Sequence, residues 1–191
     1  MPPAYYKYGD KEVIEYYTKL IQSVPDAKII LYNFEKLCGY KFSIKCVENL
    51  AAKFPKNIIG VKDSSYNLMG NLNIKNFSIL PGSELKLLNG LKKDCSGIIT
   101  ATCNVTAKLA RKVFDDFEQN KEQTANDKLC EVRKAFDQFN LISGLHLFLS
   151  LSDKQFLNIL PTCSLLNEKD GKILIDKLKD LDFLKKDFKA A

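Results

Sequence analysis

Four short runs of the chain are apolar over consecutive positions and stop abruptly at small or polar residues: 28–33, 57–63, 77–82 and 95–100. A strand with one wet face alternates apolar and polar residues, whereas a strand of a parallel sheet, covered on both faces, has no need to. Ile29-Ile30-Leu31-Tyr32, Ile58-Ile59-Gly60-Val61 and Ser78-Ile79-Leu80 are of the second kind, as is Gly97-Ile98-Ile99. Between the runs the apolar residues recur at helical spacing. Residues 10–23 align Val13, Ile14, Tyr17, Leu20 and Ile21, with Asp10 as the expected N-cap. Residues 43–54 align Ile44, Val47, Leu50 and Ala51 behind Ser43 as cap; 84–92 carry Leu85, Leu87, Leu88 and Leu91. Residues 106–120 carry Leu109, Ala110, Val113, Phe114 and Phe117. Strand and helix in alternation predict β-α-β units. Beyond residue 120 only helices are expected, over 124–151, 153–159 and 167–184.

The charge balance narrows the function classes. The 191 residues include 29 Lys and Arg against 23 Asp and Glu, a net charge of +6, yet the lysines alternate with acids, as in Lys177-Leu178-Lys179-Asp180. That is the pattern of solvated helix faces, and with only Arg111 and Arg133 available for bidentate phosphate or base contacts no nucleic-acid partner is expected. No run reaches the ~20 apolar residues of a membrane span, and the N-terminal Met1-Pro2-Pro3-Ala4-Tyr5-Tyr6-Lys7 carries no apolar signal core. A cytoplasmic protein without membrane partners is the expectation. The six cysteines include no Cys-x-x-Cys pair, and the single histidine, His146, sits in an apolar helical run. Neither a metal site nor a histidine-dependent nucleophile is expected, and buried thiols are the better reading of the cysteines.

In parallel α/β sheets the reactive groups gather at the C-terminal ends of the strands. Those ends read Tyr32-Asn33, Lys62-Asp63-Ser64-Ser65, Gly82-Ser83-Glu84 and Thr100-Ala101-Thr102. Lys62 stands out because it closes an apolar strand. Desolvation favours the neutral form of an amine, the form that Schiff-base chemistry needs. A strand-end lysine can equally snorkel to solvent or contact a phosphate. Tyr32 ends the preceding strand, and its phenol could relay protons.

A family resemblance sharpens this. Tyr32-Asn33-Phe34 and then Gly39, followed by Gly60-Val61-Lys62-Asp63-Ser64-Ser65 with Lys62 thirty residues beyond Tyr32, resembles the dihydrodipicolinate synthase / N-acetylneuraminate lyase family. Pro2-Pro3-Ala4-Tyr5-Tyr6-Lys7, Pro81-Gly82-Ser83-Glu84, Gly97 through Val105 and the tail from Leu160-Pro161 to Leu165 are similar to further family segments in order and spacing. The resemblance implies a (β/α)8 barrel, of which this chain would be roughly the C-terminal half, β5–β8, over residues 1–120, with a helical extension over 121–191. It implies that Lys62 forms the Schiff base with pyruvate or a 2-keto-3-deoxy sugar acid and that Tyr32 is the proton relay. Ser64, Gly82, Glu84 and the backbone at Ile99 would line the substrate pocket, and Tyr5 or Tyr6 would be an interface aromatic. No cofactor and no metal are implied; the partners would be a 2-keto acid, an aldehyde and further copies of the chain, as a tetramer.

Two departures qualify the implication. Where the family's lysine-pathway synthases have an arginine this chain has Leu37, and Glu35 replaces the usual proline, which points from 4-hydroxy-tetrahydrodipicolinate synthase towards a sugar-acid aldolase or dehydratase. The family's Gly-Thr/Ser-Thr-Gly-Glu loop, which grips the keto-acid carboxylate, is absent. The alternative expectation is an inactive truncated fragment of such an enzyme.

Overall fold

The computed structural model describes residues 1–184. The chain forms two compact units, Met1–Ile99 and one that begins at Thr100. The last seven positions of the expected helical extension, 185–191, lie outside the described residues.

The first unit is α/β. Helix α1 (Asp10–Ser23) leads into strand β1 (Ile29–Asn33). The short helix α2 (Glu35–Cys38) and helix α3 (Ile44–Lys53) then cross to β2 (Ile58–Asp63), and β3 (Ser78–Pro81) completes a parallel sheet of order β1-β2-β3. Register places Leu31 beside Val61 and Val61 beside Ile79, all buried on one face. That face joins Val13, Tyr17 and Ile21 of α1 and Val47 and Leu50 of α3 in a single apolar core that includes the fully buried Phe42. The opposite face carries Tyr32, Lys62 and Leu80, again in register, and these stay partly exposed. One extra residue on β2, between the Ile29–Ile58 and Ile30–Gly60 pairs, sets this alignment.

Three expectations need correction here. Residues 95–100 form no fourth strand among the described residues: Ser96 N donates to Ile79 O (3.0 Å) and Ile99 N to Pro81 O (3.1 Å), three residues advancing against two on β3. Gly97 takes up the difference at φ 137°, a conformation outside the strand region. The N-cap of α1 is Gly9, not Asp10; Glu12 receives the Gly9 N–H, while the Asp10 carboxylate accepts Tyr40 Oη (2.7 Å) and the Ser43 hydroxyl and so clasps α1 to the start of α3. Residues 84–92 divide into a 3-10 turn (Glu84–Lys86) and helix α4 (Leu87–Leu91). By contrast Ser43 caps α3 as expected, its hydroxyl accepting Cys46 N at 2.9 Å.

The second unit is helical: α5 (Cys103–Glu118), α6 (Asn126–Phe136), α7 (Leu141–Leu149), a 3-10 turn (Lys154–Leu157) and α8 (Glu168–Asp180). Val113, Leu129, Val132, Phe136, Leu174, Leu178 and Phe183 are fully buried, and the Phe148 ring joins Phe136 and Phe183 at 5.9 and 5.4 Å. The expected helix over 124–151 is two helices because Asn140 caps a new one, its side chain accepting Ser143 N at 3.1 Å. Helix α5 starts three residues before position 106 because Thr100 Oγ1 accepts Cys103 N at 3.0 Å. His146 faces the 3-10 turn, with Nδ1 at 2.7 Å from Phe156 O.

Candidate active site

Tyr32 and Lys62 are register partners on adjacent strands, one residue before the C-terminal end of each. The Lys62 Nζ stands 4.1 Å from the centroid of the Tyr32 ring, and Phe34 continues the aromatic surface with its ring 5.8 Å from that of Tyr32. A cation over an aromatic face gains ~0.5–2 kcal/mol, more as water is excluded, so the stack holds the flexible lysine stem in one place. Sequence spacing did not contain this contact. It follows from the parallel register, which turns a separation of thirty residues into a lateral neighbour.

Around the pair, Gly82 and Ser64 meet at the ends of β3 and β2. A Cβ on Gly82 would lie 2.1 Å from Ser64 Oγ, so the serine side chain occupies the room the glycine leaves. Gly82 N donates to Asp63 O (3.1 Å) and Ser64 N to Asn33 O (2.9 Å), which extends the sheet pairing past the strand ends. Gly60, two residues before Lys62, is equally constrained: a Cβ there would lie 2.6 Å from the Ser78 carbonyl oxygen. Glu84 is wholly buried at the start of the 3-10 turn after β3, and Ile99 is exposed, tied to β3 by its N–H. Tyr5 and Tyr6 are elsewhere. They are exposed, packed edge to face at 5.0 Å, and Tyr6 helps line an apolar cavity of about 220 Å³ with Pro3, Tyr8, Glu12, Val13 and Tyr16.

Behind the pair lies a buried polar network that sequence inspection did not single out. Asp63, fully buried, receives Asn33 Nδ2 (2.8 Å) and Tyr66 N (2.8 Å) on one carboxylate oxygen and Leu68 N (2.9 Å) and Met69 N (3.0 Å) on the other. Asn33 accepts Phe42 N (3.1 Å) and also donates to Asn67 Oδ1 (2.8 Å), whose own amide donates to Phe42 O (2.9 Å). The available signal was a polar residue closing each of two apolar strands at matching positions, Asn33 and Asp63. Among the described residues no group of three His, Cys, Asp or Glu side chains is arranged to hold a metal ion, and no helix is long and apolar enough to cross a membrane.

The profile of the dihydrodipicolinate synthetase family matches residues 1–171, and the chain belongs to that family. Among relatives, an uncharacterized DapA-like lyase of Chloroflexus aurantiacus is 30% identical over 147 residues, covering 73% of this chain and 49% of its own length. A 2-dehydro-3-deoxy-D-gluconate/2-dehydro-3-deoxy-phosphogluconate aldolase of Picrophilus torridus is 28% identical, covering 64% of this chain and 46% of its own. The chain thus spans about half the length of the curated relatives it matches. Of solved structures, a monomeric dihydrodipicolinate synthase variant superposes with a TM-score of 0.84 at 19% identity, over 95% of this chain and 64% of that one. A Ruminococcus gnavus sialic acid aldolase, a catalytic lysine mutant, gives 0.82 at 17%, over 98% and 65%. YagE of Escherichia coli, solved with pyruvate, gives 0.78 at 22%, over 95% and 64%. These likenesses are of fold.

Proposed function

We propose that this chain carries the Schiff-base lysine of a lyase or aldolase acting on pyruvate or a 2-keto-3-deoxy sugar acid. The observation that supports it is the Lys62–Tyr32 pair, with Nζ held 4.1 Å from the tyrosine ring at the C-terminal end of a parallel sheet. The Lys62 ammonium gives up a proton and the free amine adds to the keto carbon to give a carbinolamine, whose hydroxyl takes up that proton and leaves as water to form the iminium. The iminium then accepts the electron pair of the breaking carbon-carbon bond as an enamine, and Tyr32 removes the proton from the hydroxyl that becomes the aldehyde. In the synthetic direction the same groups act in reverse. The Schiff base requires no metal and no diffusible cofactor.

The aldolase relatives favour a sugar-acid substrate. So does Leu37, an apolar exposed residue on α2 that offers nothing to a second carboxylate. Ser64, Gly82 and the segment at Ile99 are proposed to line the pocket, with Glu84 holding its wall. Residues 1–120 are read as the β5–β8 half of a (β/α)8 barrel and 121–191 as its helical extension. A cytoplasmic tetramer with Tyr5 or Tyr6 at a subunit contact is the corresponding assembly.

The test is borohydride trapping. The purified chain is incubated with pyruvate, reduced and digested, and Lys62 is expected to carry the reduced adduct, which Lys62→Arg abolishes. A folded chain that yields no adduct on Lys62, or an equal adduct on surface lysines, would overturn the proposal.

A further inference from the structure

We propose that Asp63 is a positioning residue: its buried carboxylate locks the ends of β1 and β2 in the register that sets Lys62 on the Tyr32 ring. The inference rests on the reading of Lys62 as the Schiff-base former. Side chains alternate along a strand, so Lys62 and Asp63 point to opposite faces of β2. Lys62 is on the open face, and Asp63 is sealed among the elements behind the sheet. The register pair Asn33–Asp63 lies immediately beyond the pair Tyr32–Lys62, and a side-chain hydrogen bond of 2.8 Å joins its members. Anything that separates Asn33 from Asp63 acts on the reacting pair through one peptide link on each strand.

The chemistry of the network demands a carboxylate. All four groups that reach Asp63 are donors: the Asn33 amide and the N–H groups of Tyr66, Leu68 and Met69. Each oxygen accepts two of them, which uses the acceptor capacity of both carboxyl oxygens. An asparagine in its place would aim an NH2 at donors and leave buried N–H groups unmatched. Asn33 in turn fixes Phe42 N, so the loop that brings the chain from α2 to α3 hangs on the same carboxylate, and Asn67 closes the ring by donating to Phe42 O. Through the Tyr66, Leu68 and Met69 bonds Asp63 also shapes the loop that begins at Ser64, the residue packed over Gly82. A purely structural role would have the network stabilise the fold and leave the geometry of the pair alone. A positioning role has the pair part when the network is cut, even where the fold survives.

Two readouts on the whole chain decide between these, with Asp63→Asn compared against Val47→Ala, a core truncation in α3 on the opposite face of the sheet from the pair. The first needs no activity. In protein labelled with [ε-13C]lysine, the Lys62 signal is assigned by its loss in Lys62→Arg. It is expected upfield of the surface lysines because it lies over the Tyr32 ring. Asp63→Asn is expected to move it back towards the surface lysines while Val47→Ala leaves it in place. The second is saturable borohydride trapping with pyruvate: Asp63→Asn is expected to lower the limiting rate on the order of 10²-fold, as a displacement of about 1 Å in a reacting group can do, with the pyruvate half-saturation unchanged. If Asp63→Asn does not fold, Asn33→Ala, which leaves the three backbone bonds on Asp63, takes its place with the same direction expected. A Lys62 signal unmoved in the folded variant, or trapping slowed equally in Val47→Ala, would overturn the inference. If the unaltered chain traps no pyruvate, the Schiff-base reading fails by itself, and the lysine signal still decides whether Asp63 positions the pair.

Discussion

Substituting alanine for Gly60 isolates the fit between β2 and β3 on which the placement of Lys62 depends. The added Cβ would lie 2.6 Å from the Ser78 carbonyl oxygen and 3.1 Å from Ser78 Cβ. The first of these is a backbone atom of the register partner, fixed by the ladder itself, so rotating a side chain cannot relieve it. Bringing the contact to the 3.4 Å at which such approaches become ordinary requires the strands to open by about 0.8 Å. That would stretch the adjacent ladder hydrogen bonds towards their limit. Overpacking of this kind costs about 1–3 kcal/mol, against which the reduced freedom of the unfolded chain returns about 0.4–1 kcal/mol. The net expectation is a loss of about 1–2 kcal/mol, or a fall in Tm of roughly 2–8 °C for a chain of this size. Urea and thermal unfolding followed by far-UV circular dichroism measure it. Gly39→Ala is the comparison: Gly39 has φ 73° and a Cβ added there would meet nothing within 4 Å, so that variant bears the left-handed strain of about 1 kcal/mol without a clash. Because Lys62 is two residues on and shares the face of Gly60, trapping by Gly60→Ala should also slow, whereas trapping by Gly39→Ala should not. A Gly60→Ala protein as stable as the parent would refute the steric reasoning. Slowed trapping in both variants would refute the claim that the effect passes along β2.

Other consequences can be checked as directly. Tyr32→Phe keeps a ring under Lys62 and removes the phenol, so adduct formation with pyruvate should persist while turnover falls on the order of 10²–10⁴-fold; equal loss of both would mean that the hydroxyl is already needed to form the Schiff base, and loss of neither that only the ring matters. Burial, with Asp63 and Asp94 adding to it, pushes the Cys95 thiol up to about 11 from an ordinary 9.0. Its contribution to stability should therefore be complete below pH 9 and disappear as the pH rises towards 11, and at neutral pH iodoacetamide should label the partly exposed Cys163 well before Cys95. Asn140→Ala removes the cap of α7 and should cost about 1 kcal/mol, read as faster amide exchange at Ser143 and Gly144 with α5 unaffected.

Much of the first unit was legible because its signals are local. Apolar runs without alternation marked the three strands, and helical spacing marked α1 and α3. The hydroxyl at Ser43 stands where a cap must be. Failures occurred where a local signal met a longer-range competitor. Asp10 looks like a cap, but Tyr40 and Ser43 claim its carboxylate across about thirty residues of chain. Residues 95–100 look like a strand, but Gly97 breaks the step that a ladder along β3 needs. Phe139 continues the apolar period of Val132, Ala135 and Phe136, yet the Asn140 side chain begins a helix of its own.

The candidate site divides along the same line. Tyr32, Lys62, Ser64 and Gly82 could be named from the sequence because strand ends are recognisable one strand at a time and because their spacing resembles a known family. That the Lys62 amine rests on the Tyr32 ring, that Gly82 gives way to Ser64, and that a single buried carboxylate gathers Asn33, Tyr66, Leu68 and Met69 are facts of pairing between strands and of loop closure. Hydrophobic period is written residue by residue, so the chain alone marked β1, β2 and β3 as strands and α1 and α3 as helices. Register and the partners of buried polar groups depend on which segments meet, and only the folded sheet decides that.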